Sequence, residues 1–158
     1  MEFKSLAQAK RETGLSYLGS VNNGAKHAKA YKYKEMVYTI YLAPANISGY
    51  EVCPGRSAEC TKACLNESGR NRLNKNLNTI NKSRIKKTRL FFEEKEFFMG
   101  WLIHEINAAR RKAEFNGYKF SIRLNNTSDI SPEEFYVVKN GIKTNILELY
   151  PDIQFYDY

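Results

Sequence analysis

The stretch Met36 to Leu42 sets the tightest limit on what this chain can fold into. Met36, Tyr38, Ile40 and Leu42 alternate with Val37, Thr39 and Tyr41, and both sets are apolar or β-preferring. A strand with two such faces needs cover on both sides, which a sheet with one wet face does not provide. A central strand is therefore predicted, in an α/β (or α+β) fold with a small, mainly parallel sheet flanked by helices. Pro44 ends the strand and delivers the chain into a loop at one end of the sheet, where α/β proteins commonly place binding sites.

The other segments fit that frame. Ser5 to Thr13 reads as a short helix closed by Gly14, with Leu6 and Ala9 on its inner edge. Asn23-Gly24 is a turn signal between two short strands. The run Lys26, His27, Lys29, Lys32 and Lys34, with Tyr31 and Tyr33 between, reads as a solvated surface loop. Arg70 to Arg89 follows a helical period and carries no acidic residue, so it predicts an amphipathic basic helix. Phe91 to Ala113 is the longest predicted helix, with Phe91, Phe98, Leu102, Ile106, Ala109 and Ala113 as a core stripe beside Phe97 and Trp101. Tyr118 to Leu124 alternates as a strand and empties into the polar run Asn125 to Asp129. Ser131-Pro132-Glu133-Glu134 reads as a capping box opening a helix from Pro132 to Tyr150, interrupted at Asn140-Gly141. A last strand from Ile153 to Tyr158 then completes a βαβ unit with a right-handed crossover. At 158 residues the chain is expected to form one domain over residues 1–158, shortened at a C-terminus that stops inside an apolar strand.

The cysteines are the main chemical signal. All three, Cys53, Cys60 and Cys64, fall between Ala43 and Arg70 in the pattern C-x6-C-x3-C. Cys60 and Cys64 are four apart, on one face of a helical turn that Ser57 can cap. Cys53 sits on the Cys53-Pro54-Gly55 loop, which can fold back over the start of that turn. An odd count leaves one thiol over from any disulfide, and the N-terminus does not read as a secretory signal. In a reducing compartment, clustered cysteines favour a metal over a bridge. Zinc would take a fourth ligand, for which His27 and His104 are the only imidazoles. A 4Fe–4S cluster held by three thiolates would leave one iron open. Thiolates suit both choices, and spacing does not separate them.

Charge points to anions. The formal net charge is +8, from 25 Lys+Arg against 17 Asp+Glu, which favours nucleic acid or an anionic small molecule as partner. Arg70, Arg72, Lys75, Lys82, Arg84 and Lys86 are the candidate contacts, against the alternative of a merely solvated helix face. No apolar run approaches the roughly 18 residues of a membrane span. Arg123, Asn125, Ser128 and Asp129 form a second polar set at a strand end, with a structural ion pair from Arg123 to Asp129 or Glu133 as the alternative.

Several of these stretches carry a resemblance. Tyr38 to Asn46, the three-cysteine loop with Ser68-Gly69-Arg70, Lys87 to Phe92, and Arg123 to Asp129 together resemble the bacteriophage gene-product-88 family. The resemblance covers most of the chain in the same order. It implies a viral protein made in the cytoplasm of a bacterial host, with the cysteines as an iron–sulfur site. Two departures accompany it: Ser128 stands where the family usually has Gly, and members usually continue beyond the strand that ends at Tyr158. The resulting expectation is a 4Fe–4S protein with a possible open iron, served by Arg123, Asn125, Ser128 and Asp129. The rival is a zinc-stabilised nucleic-acid module that uses the basic helix. G-x-G-x-x-G, P-loop and nucleophile-elbow patterns are absent, so no enzymatic reaction is assigned.

Overall fold

The computed structural model describes residues 2–22, 25–64 and 77–157. Helix α1 (Leu6–Thr13) begins at Ser5, whose hydroxyl accepts from the Gln8 N–H, and ends at Gly14 in the left-handed conformation, φ 70°. Ala9 is buried, but Leu6 is exposed. Strand β1 (Gly19–Val21) follows. The chain then forms α2 (Ala25–Ala28) and a 3-10 turn (Lys29–Tyr33) before β2 (Glu35–Ile40). The expected surface loop is thus helical, and Asn23-Gly24 lies outside the described residues.

β2 is central, as its two apolar faces require. The four-stranded sheet has the order β1-β2-β3-β6, with β3 at Lys119–Arg123 and β6 at Gln154–Phe155. β1 runs antiparallel to β2, while β2 with β3 and β3 with β6 are parallel. The fold is mixed α/β with a mainly parallel sheet. Between β2 and β3 come α3 (Ala58–Lys62), α4 (Leu77–Glu93) and α5 (Lys95–Phe115). α5 packs on β1, β2 and β3 and is itself packed by α4. Phe97, Phe98, Trp101, Leu102 and Ile106 are fully buried with Tyr38, Ile40 and Ile122 in one core.

Two boundaries differ from expectation. Phe91 belongs to α4, not to the long helix: the chain breaks at Glu94, which leaves the α-helical region. The break lets Phe91 meet Phe98 edge-on, with ring centroids 5.2 Å apart, so residues read as one stripe face each other across a helix corner. The predicted helix from Pro132 to Tyr150 is a second small sheet instead. After a 3-10 turn (Pro132–Glu134) come β4 (Tyr136–Lys139) and β5 (Ile142–Asn145), paired antiparallel, then α6 (Ile146–Leu149). Asn140 and Gly141 both have positive φ, 52° and 77°. A two-residue type I′ hairpin turn demands that conformation, and a helix forbids it. Ser131 makes no side-chain cap; its hydroxyl turns to the Glu133 carboxylate. β3 and β6 are parallel as expected, but the crossover carries this hairpin rather than a long helix.

Candidate functional site

β2 and β3 run parallel, so their C-terminal ends open on the same edge of the sheet. The cysteine loop leaves from the first end and the Asn125–Asp129 loop from the second. Several hydrogen bonds fasten them together. Thr127 Oγ1 donates to the Leu42 carbonyl at 2.6 Å, and the Asp129 N–H to the Val52 carbonyl at 2.7 Å. From α4, Thr88 Oγ1 accepts from the Ala43 N–H at 2.8 Å and Arg89 Nε donates to the Ser48 carbonyl at 3.0 Å. Tyr50 stacks on Phe92 with centroids 4.6 Å apart. The loop carrying the cysteines is therefore held from two sides by regular elements.

Within it the local structure follows the residues. The Arg56 N–H donates to the Cys53 carbonyl at 3.0 Å, closing a turn over Pro54-Gly55. Ser57 caps α3, its hydroxyl accepting from the Cys60 N–H at 3.1 Å. Cys64 lies just past the end of α3, whose C-cap is Ala63. Ser68-Gly69 falls outside the described residues.

Cys53, Cys60 and Cys64 line one cavity of about 160 Å3, together with Pro44, Ala45, Ile47, Arg56 and Thr61. All three are free thiols; Cys60 is exposed and the other two are half-buried. No carboxylate or imidazole is among these lining residues. Among the described residues, no three Cys, His, Asp or Glu side chains converge as ligands of a single ion would. Burial pushes the Cys53 thiol up, opposed by a hydrogen bond from the Ala45 backbone N–H. Ala45 adopts a left-handed backbone, φ 52°, a costly conformation for a residue with a Cβ and one that tends to gather at functional sites.

Two arginines flank the thiols. Arg56 is fixed by the Glu51 carboxylate at 2.9 Å and by Thr61 Oγ1 at 2.8 Å. The Glu51 pair, followed by the charges of Cys53 and Cys60, holds its guanidinium above the ordinary value. Arg84 lies 5.1 Å over the Tyr41 ring. Burial lowers its guanidinium, and the Tyr41 and Cys64 charges oppose that.

The remaining predicted residues divide. Arg70, Arg72 and Lys75 lie outside the described residues. Lys82 and Lys86 are exposed on α4, whereas Arg84 is turned inward. Asn125 serves its own loop: its side chain bonds both backbone groups of Ile130 and accepts from Ser128 Oγ at 2.8 Å. Arg123 contacts Asn126 at 2.8 Å and Asp157 at 3.5 Å, so its ion pair is with neither Asp129 nor Glu133. Asp129 is exposed and within electrostatic reach of Cys53. Neither histidine lines the thiol cavity; His104 packs against Phe3, with ring centroids 5.5 Å apart. Arg56 and Ala45 escaped the sequence reading. Arg56 had a signal, being the cation between the first two cysteines; Ala45 had none, since its role rests on backbone conformation. Among the described residues, no helix is long and apolar enough to cross a membrane.

A family model described as "Gene product 88" matches residues 8–158. Comparison with curated proteins and with solved structures returned no match.

Proposed function

This chain belongs to the gene product 88 family, a family of bacteriophage proteins, and we propose that Cys53, Cys60 and Cys64 bind a 4Fe–4S cluster whose fourth iron is open to an outside ligand. The observation that carries this reading is the single cavity lined by three thiols and flanked by Arg56 and Arg84. The donor set fits the group: soft thiolates, with no carboxylate or imidazole among the described lining residues. A single zinc ion at about 2.3 Å from each sulfur draws thiolates to roughly 3.8 Å of one another. A cubane takes each thiolate at a different iron and so tolerates wider spacing, which suits thiols that share a cavity without converging.

When bound, such a cluster supplies an electron-transfer centre or a Lewis-acidic iron. The protein's own contribution is electrostatic and positional. Arg56 and Arg84 offset the negative charge of three thiolates. The Ala45 N–H donates to the Cys53 sulfur, and hydrogen bonds to cluster sulfurs are one of the levers on reduction potential. Ser57 orients the backbone that presents Cys60. Asp129 offers a carboxylate near Cys53 at the end of β3. Free thiols accord with a reducing compartment, the host cytoplasm.

Anaerobic purification followed by metal analysis and a visible spectrum tests the reading. The expected result is a brown protein with about four irons per chain, and loss of iron and colour in Cys60→Ser. A colourless protein holding one zinc, with binding to nucleic acid that weakens steeply with salt, would establish the zinc module instead. Metal content unchanged in Cys60→Ser would remove the loop from consideration.

A further inference from the structure

The N-terminal ends of β2 and β3 lie side by side at the edge of the sheet opposite the cysteine loop. The Lys119 N–H donates to the Lys34 carbonyl at 2.8 Å, which joins the 3-10 turn before β2 to the connection between α5 and β3. The Tyr31 and Tyr118 rings meet edge-on across that join, with centroids 5.9 Å apart. Two kinds of side chain face water here. Tyr33 is 77% exposed and Phe115 92%, so neither ring gives the core much of its area. Lys29, Lys32, Lys34 and Lys119 are exposed on the same two segments.

Residues three apart in a 3-10 turn eclipse one another. Lys29 and Lys32 therefore form one row, about 6 Å apart at a rise of about 2.0 Å per residue, while Tyr33 projects from another. Arg111 lies one turn before Phe115 on the same face of α5 and is exposed. Lys34 holds its place at φ 53°, a conformation that glycine takes without strain; the position carries a cation instead. The carboxylates next in sequence are engaged, Glu114 accepting from Arg110 Nε at 2.9 Å and Glu35 from Ser121 Oγ at 2.7 Å.

We propose that this end of the sheet binds single-stranded DNA, with bases stacked on Tyr33 and Phe115 and phosphates on Lys29, Lys32, Lys34 and Lys119. A positive surface alone would take any polyanion. Ring faces set between the charges select a strand whose bases are open, because a duplex hides those faces in its own stack. Membrane-surface segments segregate their cations from their apolar side chains, and here the two alternate. Phosphates and base faces account for every contact without the ribose 2′-hydroxyl by which RNA is told from DNA. The length of β2, Glu35–Ile40 or about 20 Å, separates this surface from the end that carries the thiols. It stands whether or not they hold a cluster, and it makes no use of α4.

Fluorescence anisotropy of a fluorescein-tagged oligo-dT of about 20 nucleotides, titrated with the full chain at increasing KCl, tests this. Saturable binding is expected, weakening with a log–log slope of about −0.7 per phosphate contact. Joint replacement of Tyr33→Ala and Phe115→Ala should weaken it at least about tenfold, whereas Tyr33→Phe keeps the ring and the affinity. Lys29→Gln with Lys32→Gln should weaken it and flatten the slope by about 1.4. Lys82→Gln, on α4, should cost less than about twofold. These side chains are exposed, and surface substitutions of this kind leave the fold intact. No saturable binding up to about 100 μM, undiminished binding in the Tyr33 and Phe115 double variant, or an equal loss in Lys82→Gln would overturn the proposal. So would tighter binding to the matching duplex, to oligo-rU or to phosphatidylserine vesicles.

Discussion

Replacing Glu105 with Ala strikes the contact that ties α5 to β1 and β2. Its carboxylate accepts from the Leu18 and Gly19 N–H groups, each at 2.9 Å, and from the Tyr38 hydroxyl at 2.6 Å. Tyr38 is 2% exposed, so its hydroxyl has no access to bulk water once the carboxylate is gone. Hydrogen bonds to a charged acceptor contribute roughly 1.5–3 kcal/mol each, and a stranded buried donor costs about 1–3 kcal/mol. Glu105 is half-buried, and water entering the vacated space can recover the two backbone donors in part. A loss of about 3–5 kcal/mol follows, a large share of the roughly 5–15 kcal/mol of an ordinary domain. Urea unfolding of the apoprotein measures it as a shift in midpoint at constant slope. The paired substitution Tyr38→Phe isolates the phenol contribution, and the double mutant should show coupling of at least about 1 kcal/mol. A Glu105→Ala cost below about 1 kcal/mol, or strict additivity with Tyr38→Phe, would refute the contact as described.

The other expectations concern the same region. Lys87 is lowered by burial from 10.5 to about 8. Between those values the unfolded chain holds a proton the folded one has released, so stability should rise with pH from about 8 toward 10, by at most about 3 kcal/mol. Tyr38, raised by burial and the Glu105 charge above its ordinary 10.0, opposes this only at still higher pH. Urea midpoints measured against pH should show the full rise in the parent and a smaller one in Lys87→Met, where Lys95, lowered by burial to about 8, still contributes. Gly19→Ala should cost about 1–3 kcal/mol by the same assay, because a Cβ there would overlap the Tyr38 ring and stand 2.7 Å from the Thr39 carbonyl oxygen; a neutral result would mean that β1 moves freely. Thr88→Val keeps the shape but leaves the buried Ala43 N–H without its acceptor, costing about 1–3 kcal/mol. If the cysteine loop leans on that anchor, iron retention in the anaerobic preparation should fall with it.

Several elements were legible because their causes are local. The central position of β2 follows from two apolar faces, the cap of α1 from Ser5 and Gly14, and the cap of α3 from Ser57. The cysteines and the Pro54-Gly55 turn likewise announce a gathered loop. The hairpin at Tyr136–Asn145 was missed although Asn140-Gly141 is a strong local turn signal. Pro132, Glu133 and Glu134 mimic a helix start, and that capping pattern outweighs the β-branched flanks Val137, Val138 and Ile142. The break at Glu94 has no marker at all, since both flanking segments favour helix and only packing separates them.

The residues alone determined the hydrophobic pattern, the excess of positive charge and the clustering of thiols in one short loop. Tertiary structure decided which of those charges face water. Lys82, Arg84, Lys86 and Lys87 are near neighbours in sequence and would serve equally on an isolated basic helix. Packing α4 against α5, with Lys87 bonded to the Leu18 carbonyl, leaves Lys82 and Lys86 in solvent and buries Arg84 and Lys87, because a helix turns about 100° per residue and its partner covers only one side. The same packing brings Arg84 within electrostatic reach of Cys64, a proximity that sequence separation does not encode.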